Sequence, residues 1–430
     1  MVSIVLILAA CSSGGNPEGS PPVSPTPDVS EQPPGSAPSS TPEPGSTPSS
    51  PPDPNPGTED AREENIDSMI EDMSLEEKIG QLIVAGVEGS EPNEQTRRMI
   101  VEQHVGGIIF FRNNLADPAS IIQFVNQVNE WNQVNHAPLL LSVDQEGGRV
   151  SRFNDWVALP SALQIGESSD PELASLLGFV LGEGVDMMGM NMNFAPVLDV
   201  NSNPANPVIG DRSFGDDPEQ VSTMGIKVMQ HIKQEGVIPV VKHFPGHGDT
   251  DTDSHLDLPV ILKTEDELDS LELKPFADAI DAGADVVMVA HILFPALDEE
   301  LPSSLSPAVI TDQLRNKLGF DGVVITDDLT MRAIANRYGM GEAAVLSLKA
   351  GTDILLVAHK YENVDEVITY VKKAVDEGTL TEKRIEESVR RILQLKADYD
   401  LHDEPREVPD LSSLNEQIRD LNKRTSAANR

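Results

Sequence analysis

A (β/α)8 barrel built on a parallel sheet covered on both faces is the fold this sequence predicts, and two patterns predict it. Short apolar runs recur through the body of the chain, separated by amphipathic helical stretches and by Gly or Pro signals. Successive runs also end in ionisable residues, as a barrel with a working mouth requires, because barrel chemistry gathers at the carboxyl ends of the strands. An open, doubly wound sheet is the main competitor, but no G-x-G-x-x-G follows the first run.

The apolar runs span residues 81–87, 107–111, 138–143, 193–200, 237–241, 285–289, 322–325 and 352–357. Their brevity and near-continuous apolar character fit strands with no solvent face. Helical periodicity places helices between them over 120–133, 171–188, 218–234, 265–282, 307–318 and 341–349, and a final pair over 364–377 and 382–399. The polar clusters fall at the run ends. Asp144-Gln145-Glu146 follows the third, Asp199 closes the fourth and Lys242-His243 follows the fifth; His291, Asp327-Asp328 and His359-Lys360 follow the sixth, seventh and eighth. A central site drawing on many strands is the expectation.

The first sixty residues are of another kind. Residues 1–11 are a short apolar run ending Leu8-Ala9-Ala10-Cys11, too short to span a bilayer as a helix. The run resembles the end of a bacterial lipoprotein signal, in which the cysteine is lipidated, although no Lys or Arg precedes Arg62. Cys11 is the single cysteine, so no intramolecular disulfide is possible. Residues 12–60 are rich in Pro, Ser, Gly and Thr and bury too little to order themselves, which predicts a disordered linker. As a tether it would reach roughly 40 Å as a coil and about 150 Å extended. The barrel is then expected over 61–401, with a polar tail over 402–430. Together these assign an extracytoplasmic protein, lipid-anchored to the bacterial cell membrane.

The formal net charge is −40, and seven acids and no bases lie in the first sixty residues, leaving −33 for the body. A surface so acidic repels phosphate backbones, which argues against nucleic acid as a partner.

Lys242 to His255 is the densest chemistry in the chain, with three histidines, three aspartates and a lysine within fourteen positions. Asp253 and His255 lie two apart in a glycine-loosened loop, where the carboxylate can orient the ring and raise its pKa toward working pH, as a general acid and base needs. A surface Asp and His is the plain alternative. His243, His247, Asp249 and His255 are also metal-friendly types, but neither an H-x-H after the first run nor an H-E-x-x-H occurs. Asp327, at the end of the seventh run, is of a type that serves as nucleophile, metal ligand or helix cap, and the Asp327-Asp328 pair suggests one facing inward and one capping. Trp131, Trp156 and Met331, apolar residues near run ends, are candidates for a binding subsite or for the core.

The segment Lys242-His243-Phe244-Pro245-Gly246-His247-Gly248-Asp249-Thr250-Asp251-Thr252-Asp253-Ser254-His255 resembles the signature of glycoside hydrolase family 3, in its exo-β-N-acetylglucosaminidase (β-N-acetylhexosaminidase) branch. Residues 144–150, 193–200, 210–214 and 326–331 agree as well, and the resemblance covers about 73–401. It implies a TIM-type barrel that needs no cofactor or metal and takes an N-acetylglucosamine-containing glycan, from peptidoglycan fragments or chitin oligosaccharides. It further implies Asp327 as nucleophile, His255 as acid and base oriented by Asp253, and Asp144, Arg212, Lys242 and His243 as holders of the terminal sugar. The loop carrying His255 is expected to close over a bound sugar. β-Glucosidase relatives draw a glutamate acid from a second domain, for which the tail leaves no room, so the acid is expected from the barrel. A β-glucosidase-type relative, a metal-dependent barrel hydrolase and a sugar-binding lipoprotein without turnover are the alternatives.

Overall fold

The computed structural model describes residues 56–250 and 258–430. Within them eight strands form one parallel sheet: β1 (Ile83–Gly86), β2 (Gly107–Phe110), β3 (Leu140–Val143), β4 (Met192–Asn193), β5 (Ile238–Phe244), β6 (Val286–Val289), β7 (Val323–Thr326) and β8 (Leu355–Val357). From β1 to β7 each strand pairs with the next in chain order, and β1 pairs with β8. A parallel bridge between Ile325 and Ile354, with Thr326 N donating to Ile354 O at 3.0 Å, joins β7 to the approach of β8 and closes the barrel. Every strand residue is buried, which is why the strands read as near-continuous apolar runs.

The fourth run behaves differently from its reading. Only Met192–Asn193 is strand, and 194–200 continues as buried irregular backbone. Pro196 has no N–H to donate, so the ladder cannot run on unchanged. The segment still follows β5, with Val240 N donating to Ala195 O at 3.1 Å and Leu198 N to Lys242 O at 2.6 Å. Asp199 is thereby carried up to the mouth.

Three of the long barrel helices start with one device. Pro118–Asn132, Pro171–Met187 and Pro218–Gln234 each have Asp at the N-cap and Pro in the first turn, and Asp117, Asp170 and Asp217 accept from the backbone N–H two residues on. The carboxylate satisfies an orphan donor and meets the positive end of the helix dipole, while proline removes another donor. The helix expected over 265–282 is two, Glu265–Ser270 and Lys274–Asp281, because Pro275 is tolerated only in a first turn. Ala308–Lys317 is wound as a π-helix.

Helices flank the barrel on both sides in sequence. Pro56–Asp72 precedes it, overlapping the end of the segment read as linker, and buries Ile66 and Ile70. Ser412–Ala428 follows it, in the segment read as polar tail, and buries Leu414, Ile418 and Leu421 completely. At the amino-terminal end of the barrel the buried charges are structural. Asp353 accepts from Arg315 Nη2 at 2.5 Å and from Ser388 Oγ at 2.7 Å. Lys396 Nζ donates to Gln81 Oε1 at 2.9 Å and Gly106 O at 3.0 Å, with burial pulling its pKa down from the ordinary 10.5 to about 7.

Candidate active site

The carboxyl ends of the strands surround a cavity of about 380 Å³. Asp144, Glu146, Arg212, Lys242, His243 and Asp327 all line it, so five of the residues singled out from the sequence meet in one place. Asp253 and His255 lie outside the described residues, as does Cys11.

Lys242 is the centre of the wall. It lies at the end of β5 with a side chain only 2% exposed, and its Nζ sits 2.7 Å from Asp144 Oδ1 and 2.7 Å from Glu146 Oε1. Glu146 is gripped in turn by Arg212, with Nε donating to Oε2 at 2.9 Å and Nη2 to Oε1 at 2.8 Å. Two cations and two anions thus neutralise one another in a buried place, and the two-pronged Arg–carboxylate pair fixes geometry as well as charge. Burial pushes the Glu146 carboxyl up, but Arg212 and Lys242 override it and hold the group well below the usual carboxylate range. Burial likewise works against the Arg212 charge, and Glu146 more than restores it.

Glu146 carries no role in the sequence reading, although the pattern offered one. Residues two apart at a strand end project to the same side, so Asp144 and Glu146 were a pair from the start. Arg152 was also passed over. It lines the cavity, with Nη2 3.5 Å from the second oxygen of Asp144, and its backbone N–H donates to Gln145 Oε1 at 2.7 Å. Asp144 therefore stands between Lys242 and Arg152 at the cavity surface.

His243 is aimed by Asp199. The Asp199 carboxylate is fully buried and accepts from His243 Nδ1 at 2.7 Å, from His243 N at 3.2 Å and from His247 N at 2.7 Å. Burial raises its pKa, and the interactions with His243 and His247 lower it further than burial raises it. An ionised carboxylate only accepts, so the Nδ1 of His243 carries a proton. Its Nε2 lies 3.4 Å from Arg212 Nη2.

The described part of the loop after β5 is pinned. Burial drives the His247 pKa down to about 4, against Asp199, so this ring is neutral at neutral pH. Its Nδ1 is 3.0 Å from Thr250 Oγ1. Asn206 Nδ2 donates to His247 O at 2.8 Å and Gly248 O at 3.0 Å. Gly248 must be glycine, since a methyl there would sit 1.6 Å from the Val200 carbonyl oxygen.

Across the cavity, Asp327 follows β7, its N–H donating to Val289 O at 2.9 Å. The adjacent Asp328 is committed to the backbone: Oδ1 accepts from Thr330 N and Ala358 N, each at 3.0 Å, and Oδ2 from Thr330 Oγ1 at 2.5 Å. Its own N–H donates to Asp327 Oδ1 at 2.8 Å. His291, the polar group after β6, is fully buried behind this turn with Nε2 2.9 Å from Asp328 O and Nδ1 2.7 Å from Ser304 Oγ. A carbonyl only accepts, so Nε2 carries a proton.

At the rim, His359 stacks on Phe111 with ring centroids 5.1 Å apart. Met331 lines the cavity, whereas Trp131 and Trp156 do not; Trp156 is buried against Phe153 with centroids 4.6 Å apart. Among the described residues no group of three or more His, Cys, Asp or Glu side chains is placed to hold a metal ion.

The chain is similar to known proteins over this same region. It is 33% identical over 323 residues to the β-hexosaminidase of Nitrosomonas eutropha, an alignment covering 73% of this chain and 91% of that one. It is also 33% identical over 323 residues to β-hexosaminidase A of Pseudoalteromonas piscicida, covering 69% of this chain but only 54% of that longer relative. Among solved structures, a glycoside hydrolase family 3 β-N-acetylglucosaminidase from Paenibacillus sp. FPU-7 superposes with a TM-score of 0.77 at 42% identity, covering 82% of this chain and 69% of that one. The model of the glycosyl hydrolase family 3 N-terminal domain matches residues 74–395. That span begins at the cap of the helix before β1 and ends within the last barrel helix, taking in all eight strands and every group placed at the cavity, and the chain belongs to glycosyl hydrolase family 3.

Proposed function

We propose that the protein is an exo-acting β-N-acetylhexosaminidase that releases terminal, non-reducing β-linked N-acetylglucosamine from peptidoglycan fragments or chitin oligosaccharides with retention of configuration. The observation that carries this reading is the placement of Asp327 across one cavity from the Asp144, Glu146, Arg212 and Lys242 ion network. A cavity of about 380 Å³ lies at the small end of ligand sites and suits one sugar ring rather than a chain, which favours exo action. The names of the similar proteins supply the acetamido sugar.

The mechanism follows from the chemistry of the wall. Asp144, Lys242, Arg212 and His243 bind the sugar hydroxyls, using charged donors and acceptors already desolvated and fixed before substrate arrives. Asp327 attacks the anomeric carbon while His255, oriented by Asp253, delivers a proton to the departing glycosidic oxygen. The bond from the anomeric carbon to that oxygen breaks as the bond to Asp327 forms. His255 then takes a proton from water, which displaces Asp327 and frees the sugar in its original configuration. Asp328, with both carboxylate oxygens occupied by donors, holds the turn beneath the nucleophile. His255 follows Thr250, the last described residue of the loop after β5, by five positions, which supports drawing the acid and base from this loop.

We also propose that Cys11 is lipidated and that the residues between it and the helix Pro56–Asp72 tether the enzyme outside the cytoplasmic membrane. The apolar run ending Leu8-Ala9-Ala10-Cys11 and the lack of any other cysteine support it. Among the described residues no helix is long and apolar enough to cross a membrane. Two acyl chains anchor stably where one is marginal.

Asp327→Ala abolishes turnover with the fold retained, and a 2-fluoro or 5-fluoro glycosyl donor labels Asp327 in the intact enzyme, read by peptide mass; a label on Asp328 assigns the nucleophile to the wrong aspartate. His255→Ala slows substrates with poor leaving groups by roughly 10²–10⁴-fold and activated aryl glycosides far less, because only the former need the proton. Asp253→Ala shows the same pattern more mildly, and both alter the basic limb of the pH profile. Equal loss on good and poor leaving groups makes His255 a binding residue instead. Cys11→Ser moves the protein from membrane to medium in a host that processes lipoproteins, and unchanged fractionation rules out the anchor.

A further inference from the structure

The helix Ser412–Ala428 lies beyond the span matched to the family domain. Leu414, Ile418 and Leu421 dock it by burial, and its asparagines do something more specific. Asn415, Asn422 and Asn429 recur every seven residues, two helical turns, so they form a stripe along one side. All three bond to the backbone of one stretch of chain. Asn415 Oδ1 accepts from Val157 N at 2.6 Å and its Nδ2 donates to Asp155 O at 3.2 Å. Asn422 Nδ2 donates to Ala158 O at 2.8 Å, and Asn429 Nδ2 to Gln164 O at 2.8 Å.

That stretch is the outer arm of the loop after β3, whose inner arm carries Arg152 at the cavity. The arms are linked by the stacked, buried pair of Phe153 and Trp156. Trp156 Nε1 is buried without a hydrogen-bond partner, so the indole is set by packing and by the backbone on either side of it. Asn415 grips that backbone at both flanking residues. The packing is tight, since a methyl on Gly184 would lie 2.2 Å from the ring. The Asn429 bond reaches the helix Ala162–Glu167, where Gly166 abuts Phe214, two residues after Arg212; a methyl on Gly166 would lie 1.7 Å from the Phe214 carbonyl oxygen.

We propose that Asn415 and Asn422 are positioning residues for sugar binding, through which the helix Ser412–Ala428 holds the loop after β3 in the register that presents Arg152 to the cavity. The proposal rests on the proposed sugar-holding wall that includes Asp144, and extends that wall to Arg152, which lines the cavity beside it. Neither asparagine touches substrate. They act by removing the alternatives open to the loop, so their loss is felt in binding while the chemistry at Asp327 is untouched.

The test is steady-state kinetics of the full chain on an aryl N-acetylglucosaminide, with thermal melting followed in parallel. Asn415→Ala with Asn422→Ala raises KM roughly tenfold and leaves kcat within about twofold. In an Arg152→Ala background the same pair of changes adds nothing further to KM, because the group they position is gone. An unchanged KM in the folded double variant, or an equal rise with and without Arg152, overturns the proposal. If the double variant does not fold, Asn422→Ala alone, which loses a single bond to Ala158 O, carries the same test with a rise of about threefold. If Arg152→Ala itself leaves KM unaltered, Arg152 is no part of the sugar-holding wall and the proposal falls, whereas a rise in Arg152→Ala without one in the asparagine variants removes the positioning role of the helix alone.

Discussion

The buried ammonium of Lys242 is the constraint on which the mouth of this barrel depends. A charge removed from water is costly unless paired, and this one is paired twice, to Asp144 and Glu146, each at 2.7 Å. Asp144 and Glu146 together carry one more negative charge than Lys242 neutralises, and Arg212 takes up the remainder. The network draws on the end of β3, the end of β5 and the turn after Ile209, so any drift of one wall relative to another breaks a buried charge pair. Such breakage typically costs about 3–5 kcal/mol, which makes the arrangement a rigid frame rather than a weak surface contact.

The frame explains how one strand end serves two purposes. Lys242 and His243 are consecutive, and each is claimed by a different acid: Lys242 by the β3 carboxylates, His243 by Asp199. Asp199 also takes the backbone N–H of His247, so the same carboxylate that sets the tautomer of His243 starts the loop leading toward His255. The opposite wall follows the same plan with aspartates. Asp328 is spent on Thr330 and Ala358, and its neighbour Asp327 is set at the cavity.

Much of this was legible in the sequence because parallel strands buried on both faces carry few polar positions to obscure them. The fourth strand was overread, since burial of 194–200 keeps the run apolar after Pro196 has ended the regular ladder. The residues at the cavity surface were legible as a resemblance. Glu146 and Asp199 were less so, because their part is to hold other side chains, and partnership across 96 or 44 positions leaves no local pattern. The last helix was hidden by its charged surface, although Leu414, Ile418 and Leu421 recur at helical spacing. Its asparagine stripe becomes meaningful only once the loop it meets is in view.

In the proposed function this wall receives one terminal acetamido sugar with its anomeric carbon at Asp327. A crystal structure of the protein with N-acetylglucosamine bound tests it most directly. The expected result is sugar hydroxyls within hydrogen-bond distance of Asp144, Arg212, Lys242 and His243, the Lys242 pairs intact, and the anomeric carbon facing an Asp327 carboxylate oxygen. A sugar seated elsewhere, or one in this cavity with its anomeric carbon turned away from Asp327, contradicts it.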